Sequence, residues 1–362
     1  MNANLPTVAV AMSGGVDSSV AAALLVEQGY SVIGLMLRLW SEPGKESQNK
    51  CCTPDAMAQA RKVAAHLGIP FYAIDAQQVF KNQIVDYFLD GYSKGVTPNP
   101  CLMCNRHIRW GYLLNHALEM GMDQFATGHY ARTSTDEFGK TLLRKGVDER
   151  KDQSYVLSVL SQDQLSRTVF PVGGYTKPEI RELARKFGLS VASRQDSQDL
   201  CFLAGQDYRE FLSRYAPHAL TPGKIVDTAG KVVGEHDGLG FFTVGQRKGL
   251  GIYAAEPIYV IEKNLSDNTL VVGPEQELGS TVLFADQVNW IAGNPPGLEF
   301  GAQVKIRYKA TPAEARVTCI QPDQVQVKFE HPLRDITPGQ RAVFYQDDIV
   351  LGGGVIIKAA KD

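Results

Sequence analysis

The chain has 362 residues, 44% of them hydrophobic and 21% charged, with a net charge of -2, which describes a globular protein of two or three domains with a sizeable core. No run of 18 apolar residues occurs and the opening MNANLPTVAV has no basic stretch leading into an apolar one, so the expectation is a cytoplasmic protein with no membrane span and no signal peptide. The charge balance carries no global signature of nucleic-acid binding, and six cysteines are too few for a disulfide framework, so both matters rest on local patches.

The apolar run Val8-Ala9-Val10 passes through Ala11-Met12-Ser13-Gly14-Gly15-Val16-Asp17-Ser18-Ser19 into Val20 to Leu25. This reads as strand, glycine turn, helix, the context of a phosphate cradle. Neither the lysine of G-x-x-x-x-G-K-[ST] nor the G-x-G-x-x-G fingerprint is present. Backbone N-H groups of a Gly-Gly turn at a helix start can nevertheless hold a pyrophosphate, and Asp17 can take Mg²⁺. Gripping the β and γ phosphates as one leaving unit suits attack at the α-phosphorus, with pyrophosphate as product. Further apolar runs at Ser31 to Met36, Phe71 to Ile74 and Gln124 to Thr127 alternate with helical stretches at Ala56 to Leu67 and Ile108 to Glu119. The pattern predicts an α/β domain over residues 1–205, a doubly wound parallel sheet whose ligand sits at the carboxyl ends of its strands.

Within that domain Cys51 and Cys52 lie in a polar loop. TPNPCLMCNRHIRWG sets Cys101 and Cys104 in C-x-x-C spacing ahead of a helix expected near Ile108, and a thiol close to a helix amino terminus ionises more readily. SRQDSQDLCFLAG places Cys201 after a turn-prone segment, so only folding can bring it to Cys104. Two cysteines alone can also be half of a zinc site, although a second clean C-x-x-C is missing. RKGVDERKDQ carries Arg144, Lys145, Arg150 and Lys151. After the helical Tyr208 to Tyr215, glycine-rich short strands including GLGFFTVGQRKGLGI mark a small linking domain over 206–278. From 279 to 362 alternating strands broken by Gly and Pro predict a C-terminal antiparallel β-barrel. There KIRYKA sets Lys305, Arg307 and Lys309 on alternate positions, hence on one strand face, while Cys319 in ARVTCIQ reads as core.

S-G-G-x-D-S is similar to the signature of the ATP pyrophosphatases, the PP-loop enzymes of adenine nucleotide alpha hydrolase-like fold, which adenylate a carbonyl oxygen. MSGGVDSSVAA, TPNPCLMCN, ATGHYAR, KDQSYVL, SRQDSQDLCF, FTVGQRKGLG and KIRY together resemble, in order and over essentially the whole chain, the bacterial tRNA-specific 2-thiouridylases. That resemblance implies ATP-dependent replacement of O2 of the wobble uridine by sulfur, on the Glu, Gln and Lys tRNAs. It implies Cys104 as nucleophile and Cys201 as persulfide carrier, the two forming a transient disulfide. Ala11, Met12, Ser13, Gly14, Gly15, Val16, Asp17, Ser18, Leu37 and Gly128 would line the ATP site, and Asn99, Pro100 and Cys101 would face the target base. Family members often have aspartate at the Cys101 position. His129, Lys151, Asp152, Gln153, Arg307, Tyr308 and Gln340 match tRNA-contacting positions, and a sulfur-donor protein, a cysteine desulfurase or sulfur relay, is implied as partner.

The chemistry agrees with the resemblance. Exchanging oxygen for sulfur at a pyrimidine C2 needs a better leaving group, which an adenylate supplies, and a sulfur nucleophile, which a persulfide and a second thiol supply. The alternatives are another PP-loop ligase, which would have no use for Cys104 and Cys201, and a non-catalytic zinc- or nucleotide-dependent RNA-binding protein.

Overall fold

The computed structural model describes residues 5–45, 53–194, 200–254 and 256–361; Cys51, Cys52 and the RQDSQD turn apart from Arg194 lie outside them. Strands β1 (Thr7–Ala11), β2 (Ser31–Arg38), β3 (Phe71–Asp75) and β4 (Gln124–Thr127) are followed by a hairpin, β5 (Ala131–Thr135) and β6 (Thr141–Lys145), and by the short β7 (Thr168–Val169). The first four and β7 form a parallel sheet in the order β3-β2-β1-β4-β7. Val8, Ala9 and Val10 are fully buried, because a central parallel strand is covered by helices on both faces. The chain leaves β1 toward β2 on one side and returns as β4 on the other. That reversal opens a crevice at the carboxyl ends of β1 and β4, where ligands of such sheets bind.

The helix after the CxxC segment is continuous over 100–119, with π-helical turns at Cys104–Leu113. It begins at Pro100 and not near Ile108: Asn99 is the N-cap, its side chain accepting from the Leu102 N-H at 3.3 Å, and Pro100 occupies the first turn. The two prolines that look like a break are a start signal, since a first-turn proline gives up an N-H that has no partner there anyway.

The middle unit opens with the helix Tyr208–Tyr215 and builds β8 (Gly223–Asp227), β9 (Val232–His236), β10 (Ile258–Asn264) and β11 (Thr269–Pro274) into a sheet of order β10-β11-β8-β9. Ile225, Val260, Leu270 and Val272 form its core. The last unit is a barrel: β12 (Ser280–Trp290), β13 (Glu299–Lys305), β14 (Ala313–Gln321), β15 (Gln324–Leu333), β16 (Arg341–Gln346) and β17 (Ile349–Ala360) run in the order β12-β15-β14-β13-β16-β17, and β12 closes on β17. Closure leaves no unpaired edge.

β17 also pairs with β6 of the first unit, Ile349 opposite Arg144 and Val350 opposite Leu143. Asp348 takes Arg132 at 2.9 Å and Arg144 at 2.6 Å across this seam. Leu143, Tyr345 and Val350 share one core cluster with Trp110 and Phe125, so the first unit and the barrel are one packed body. The expected alternation of Lys305, Arg307 and Lys309 does not occur. β13 stops at Lys305, where its pairing with β16 ends, and Arg307 and Lys309 lie in the turn that follows. Among the described residues no helix is long and apolar enough to cross a membrane.

Candidate active site

The loop between β1 and the helix Val16–Glu27 is shaped by its small residues. Gly14 has φ +70°, and a Cβ there would sit 2.3 Å from the Ala56 carbonyl oxygen. Conformation and space both demand glycine. The Ser18 hydroxyl donates to the Gly15 carbonyl at 3.3 Å and accepts from the Ser13 N-H at 3.2 Å, and Ser19 donates to the same carbonyl at 2.8 Å. All three hydroxyls of the loop are engaged within it, Ser13 Oγ lying 3.2 Å from Ser18 Oγ, although Ser13 itself is exposed. Met12, Gly14 and Val16 are buried beneath it. Gly128, just after β4, faces the loop so closely that a Cβ would lie 2.5 Å from the Ser18 nitrogen. With Leu37 at the end of β2, the predicted nucleotide residues thus converge on the crevice.

The cation absent from the loop comes from elsewhere. Lys177 opens the helix Lys177–Lys186, whose first turn is fixed by Glu179 accepting from the Thr176 N-H and hydroxyl, both at 2.7 Å. Its Nζ donates to both carboxylate oxygens of Asp17, at 2.7 and 2.8 Å, and the Tyr130 hydroxyl donates to Oδ1 at 2.8 Å. The lysine side chain is 10% exposed and that of Asp17 29%, so screening weakens this pair less than a surface ion pair. The carboxylate expected to hold Mg²⁺ is thus already neutralised by an ammonium. Nothing near residue 177 in the sequence pairs it with Asp17, 160 positions away.

His129 follows Gly128 and leans on Trp110 with ring centroids 5.4 Å apart, its Nδ1 2.8 Å from Thr127 Oγ1. Burial, aided by the Arg109 charge, holds its pKa well below the ordinary imidazole range. The unfolded chain would take up a proton near pH 6.5 that the folded one refuses, so stability present above that pH is lost as pH falls through it. Burial shifts His107 and His236 the same way. A His129→Gln variant should therefore lose less melting temperature than wild type between pH 7 and pH 5, while keeping a residual slope. An identical slope would show that this imidazole is protonated in the folded state.

Cys101, in the first turn of the helix, is exposed, whereas Cys104 is 7% exposed. Cys104 belongs to an apolar cluster with Phe80, Phe88, Ile108 and Phe202, and Cys201 packs against the same cluster. Folding thus sets both cysteines on one apolar cluster. Cys201 begins a single helical turn, Cys201–Leu203, and beside it opens a cavity of about 680 Å³ lined by Leu200, Leu203, Tyr208, Arg209 and Lys248 among others. Cys101, Cys104, Cys201 and Cys319 are thiols and not disulfides. Among the described residues no group of three His, Cys, Asp or Glu stands placed to hold a metal ion.

The residues expected to meet tRNA divide. Tyr308 is raised in pKa by burial first and then by Asp152 and Cys101, whose charges reach it, and Lys305 Nζ lies 5.8 Å from its ring centroid. Cys101, Asp152, Lys305 and Tyr308 therefore share one neighbourhood. The Asp152 carboxylate accepts from the Gly146 and Ser154 N-H groups at 2.9 and 3.1 Å, and Gln153 is joined to Tyr130 in both directions at 2.9 Å. Both shape the turn that presents half-buried Lys151. Arg144 is tied to Asp348 and to Ser134 at 2.7 Å, so part of the basic patch belongs to the barrel seam. Arg307 and Gln340 are both hydrogen-bonded within the protein.

Residues 6–205 match the family model described as "tRNA methyl transferase HUP domain", 209–274 the corresponding "PRC-barrel domain", and 280–356 "Aminomethyltransferase beta-barrel domain". The chain is 48% identical over 358 residues to the tRNA-specific 2-thiouridylase MnmA of Heliobacterium modesticaldum, covering 97% of this chain and 92% of that protein. It is 46% identical over 365 residues to the protein of the same name from Roseiflexus castenholzii, covering 96% and 98%. The Carboxydothermus hydrogenoformans protein of that name is 47% identical over 355 residues, with 97% of each chain covered.

Proposed function

Since this chain belongs to the tRNA-specific 2-thiouridylase family, we propose that it is an ATP-dependent tRNA-uridine 2-sulfurtransferase acting in the cytoplasm on the wobble uridine of the Glu, Gln and Lys tRNAs. The observation that carries this reading is that Cys104 lies in, and Cys201 packs against, one apolar cluster, in a domain that also carries the glycine loop after β1. Gly14 lets the loop pack closely against the Ala56 backbone and Gly128 against that of Ser18, and a glycine turn at a helix start offers N-H groups that can hold the phosphates of ATP. Lys177 brings positive charge to the loop, and Mg²⁺, when bound with the nucleotide, would add charge neutralisation on the phosphates.

The uridine O2 attacks the α-phosphorus and pyrophosphate leaves with the bonding electrons. A donor protein, a cysteine desulfurase or its relay, transfers sulfane sulfur to Cys201. The Cys104 thiolate then attacks the inner sulfur of Cys201, the S-S bond breaks, and hydrosulfide is released as a Cys104-Cys201 disulfide forms. Hydrosulfide adds at C2 and AMP leaves. A dithiol reductant restores the two thiols. The target base must leave its stack to reach Asn99, Pro100 and Cys101. Mass spectrometry of wobble nucleosides after incubation with tRNA, ATP and a sulfur source tests the reading. The expected product is heavier than uridine by the difference between sulfur and oxygen; a gain of one methylene would mean methyl transfer instead.

A further inference from the structure

Thr97 and Pro98 lead into the segment that starts the catalytic helix, and the barrel holds both. The Thr97 N-H donates to the Pro338 carbonyl at 3.0 Å, and Gln340 Nε2 donates to the Thr97 carbonyl at 2.8 Å. Both backbone groups of Thr97 are thus satisfied by one loop of another domain. Its hydroxyl lies 3.4 Å from that of Thr243 in the middle unit. Gly339 has φ +89°, and a Cβ there would stand 2.8 Å from the Thr97 oxygen and 3.0 Å from its carbon and nitrogen, so the approach is backbone to backbone.

The loop is itself braced. Gly339 N-H donates to Ile356 at 2.9 Å and Ile356 N-H donates to Gln340 at 2.8 Å. Arg307 Nη2 donates to the Thr337 hydroxyl and, at 3.0 Å, to the Val244 carbonyl of the middle unit. Thr337 passes its own proton to the Asp335 carbonyl at 2.9 Å. Arg307 also keeps its Nε buried.

We propose that the barrel loop 335–340 is a positioning device for the target-base segment, with Gln340 and Gly339 setting the Thr97-Pro98 backbone and Arg307 fixing the loop to the middle unit. This rests on the thiolation reading above. Gln340 and Arg307 then act through the protein, and Asn99, Cys101 and the start of the helix bearing Cys104 follow the backbone they fix. A shift of an ångström in such a segment costs rate.

Two variants test it. Gln340→Met removes the donor to Thr97, and Gly339→Ala inserts a methyl against the Thr97 backbone with Gln340 intact, so a folding failure of one leaves the other informative. Single-turnover thiolation at saturating tRNA should fall about tenfold or more, with tRNA Kd within about twofold of wild type. Deuterium uptake by the amides of 97–103 should rise in both variants. A weaker Kd with full rate at saturation would overturn the proposal and return Gln340 to tRNA contact, as would unchanged uptake. Wild-type protein that makes no thiouridine would reject the activity instead, and the uptake comparison would still judge the positioning.

Discussion

Lys177→Met should slow pyrophosphate release, lowering tRNA-dependent ATP cleavage by about 10² to 10³, the scale on which one preorganised electrostatic donor acts. Methionine keeps the length of the stem but removes the ammonium that bonds both oxygens of Asp17. tRNA affinity should change little, because Lys177 is largely enclosed. Two causes could produce the loss: missing charge on the phosphates, or a carboxylate left unneutralised beside them. The double variant Asp17→Asn with Lys177→Met separates them. If the charge acts on the nucleotide, the double variant stays inactive. Recovery of pyrophosphate release in the double variant would reduce Lys177 to a counter-ion for Asp17.

Thiouridine should disappear in both Cys104→Ser and Cys201→Ser, yet the two proteins should stop at different points. Cys201→Ser should still release pyrophosphate, since activation of O2 precedes any need for sulfur. Cys104→Ser should still carry sulfane sulfur on Cys201, trapped by alkylation and located by peptide mass. Cys201 is part-exposed beside the cavity at Leu200 and Leu203, which leaves it open to a donor protein, whereas Cys104 is buried in the apolar cluster. Cys101→Ser should retain much activity, its side chain being exposed beside Tyr308. Persulfide on Cys104 in the Cys201→Ser protein, with thiolation preserved, would reverse the two roles.

What was legible in the sequence was local. SGGVDSS specifies its own turn through Gly14, and the runs at 8–10, 31–36, 71–74 and 124–127 became β1 to β4 of the parallel sheet; the run Val8 to Val10 of the central β1 is apolar throughout because it is buried on both faces, whereas the edge strand β3 is largely exposed. What failed needed a partner. The Asp17 counter-charge is invisible, since Lys177 reads as an ordinary first-turn residue. Lys305, Arg307 and Lys309 alternate in sequence, yet the pairing of β13 with β16 ends at Lys305 opposite Val343, and without that ladder the chain turns. Asn99 and Pro100 carried a helix-start signal that the flanking prolines disguised.

The seam between β6 and β17 has a consequence for the order in which the molecule can be made. Arg144 meets Asp348 from 204 residues upstream, and at roughly 5–20 residues per second of synthesis the hairpin stands about 10 to 40 s without its partner. An unpaired strand edge is an invitation to foreign strands. Arg132, Arg144 and Lys145 line this one, and charges on a waiting edge discourage such pairing. The same cations that later close on the barrel can thus guard the nascent chain until it arrives.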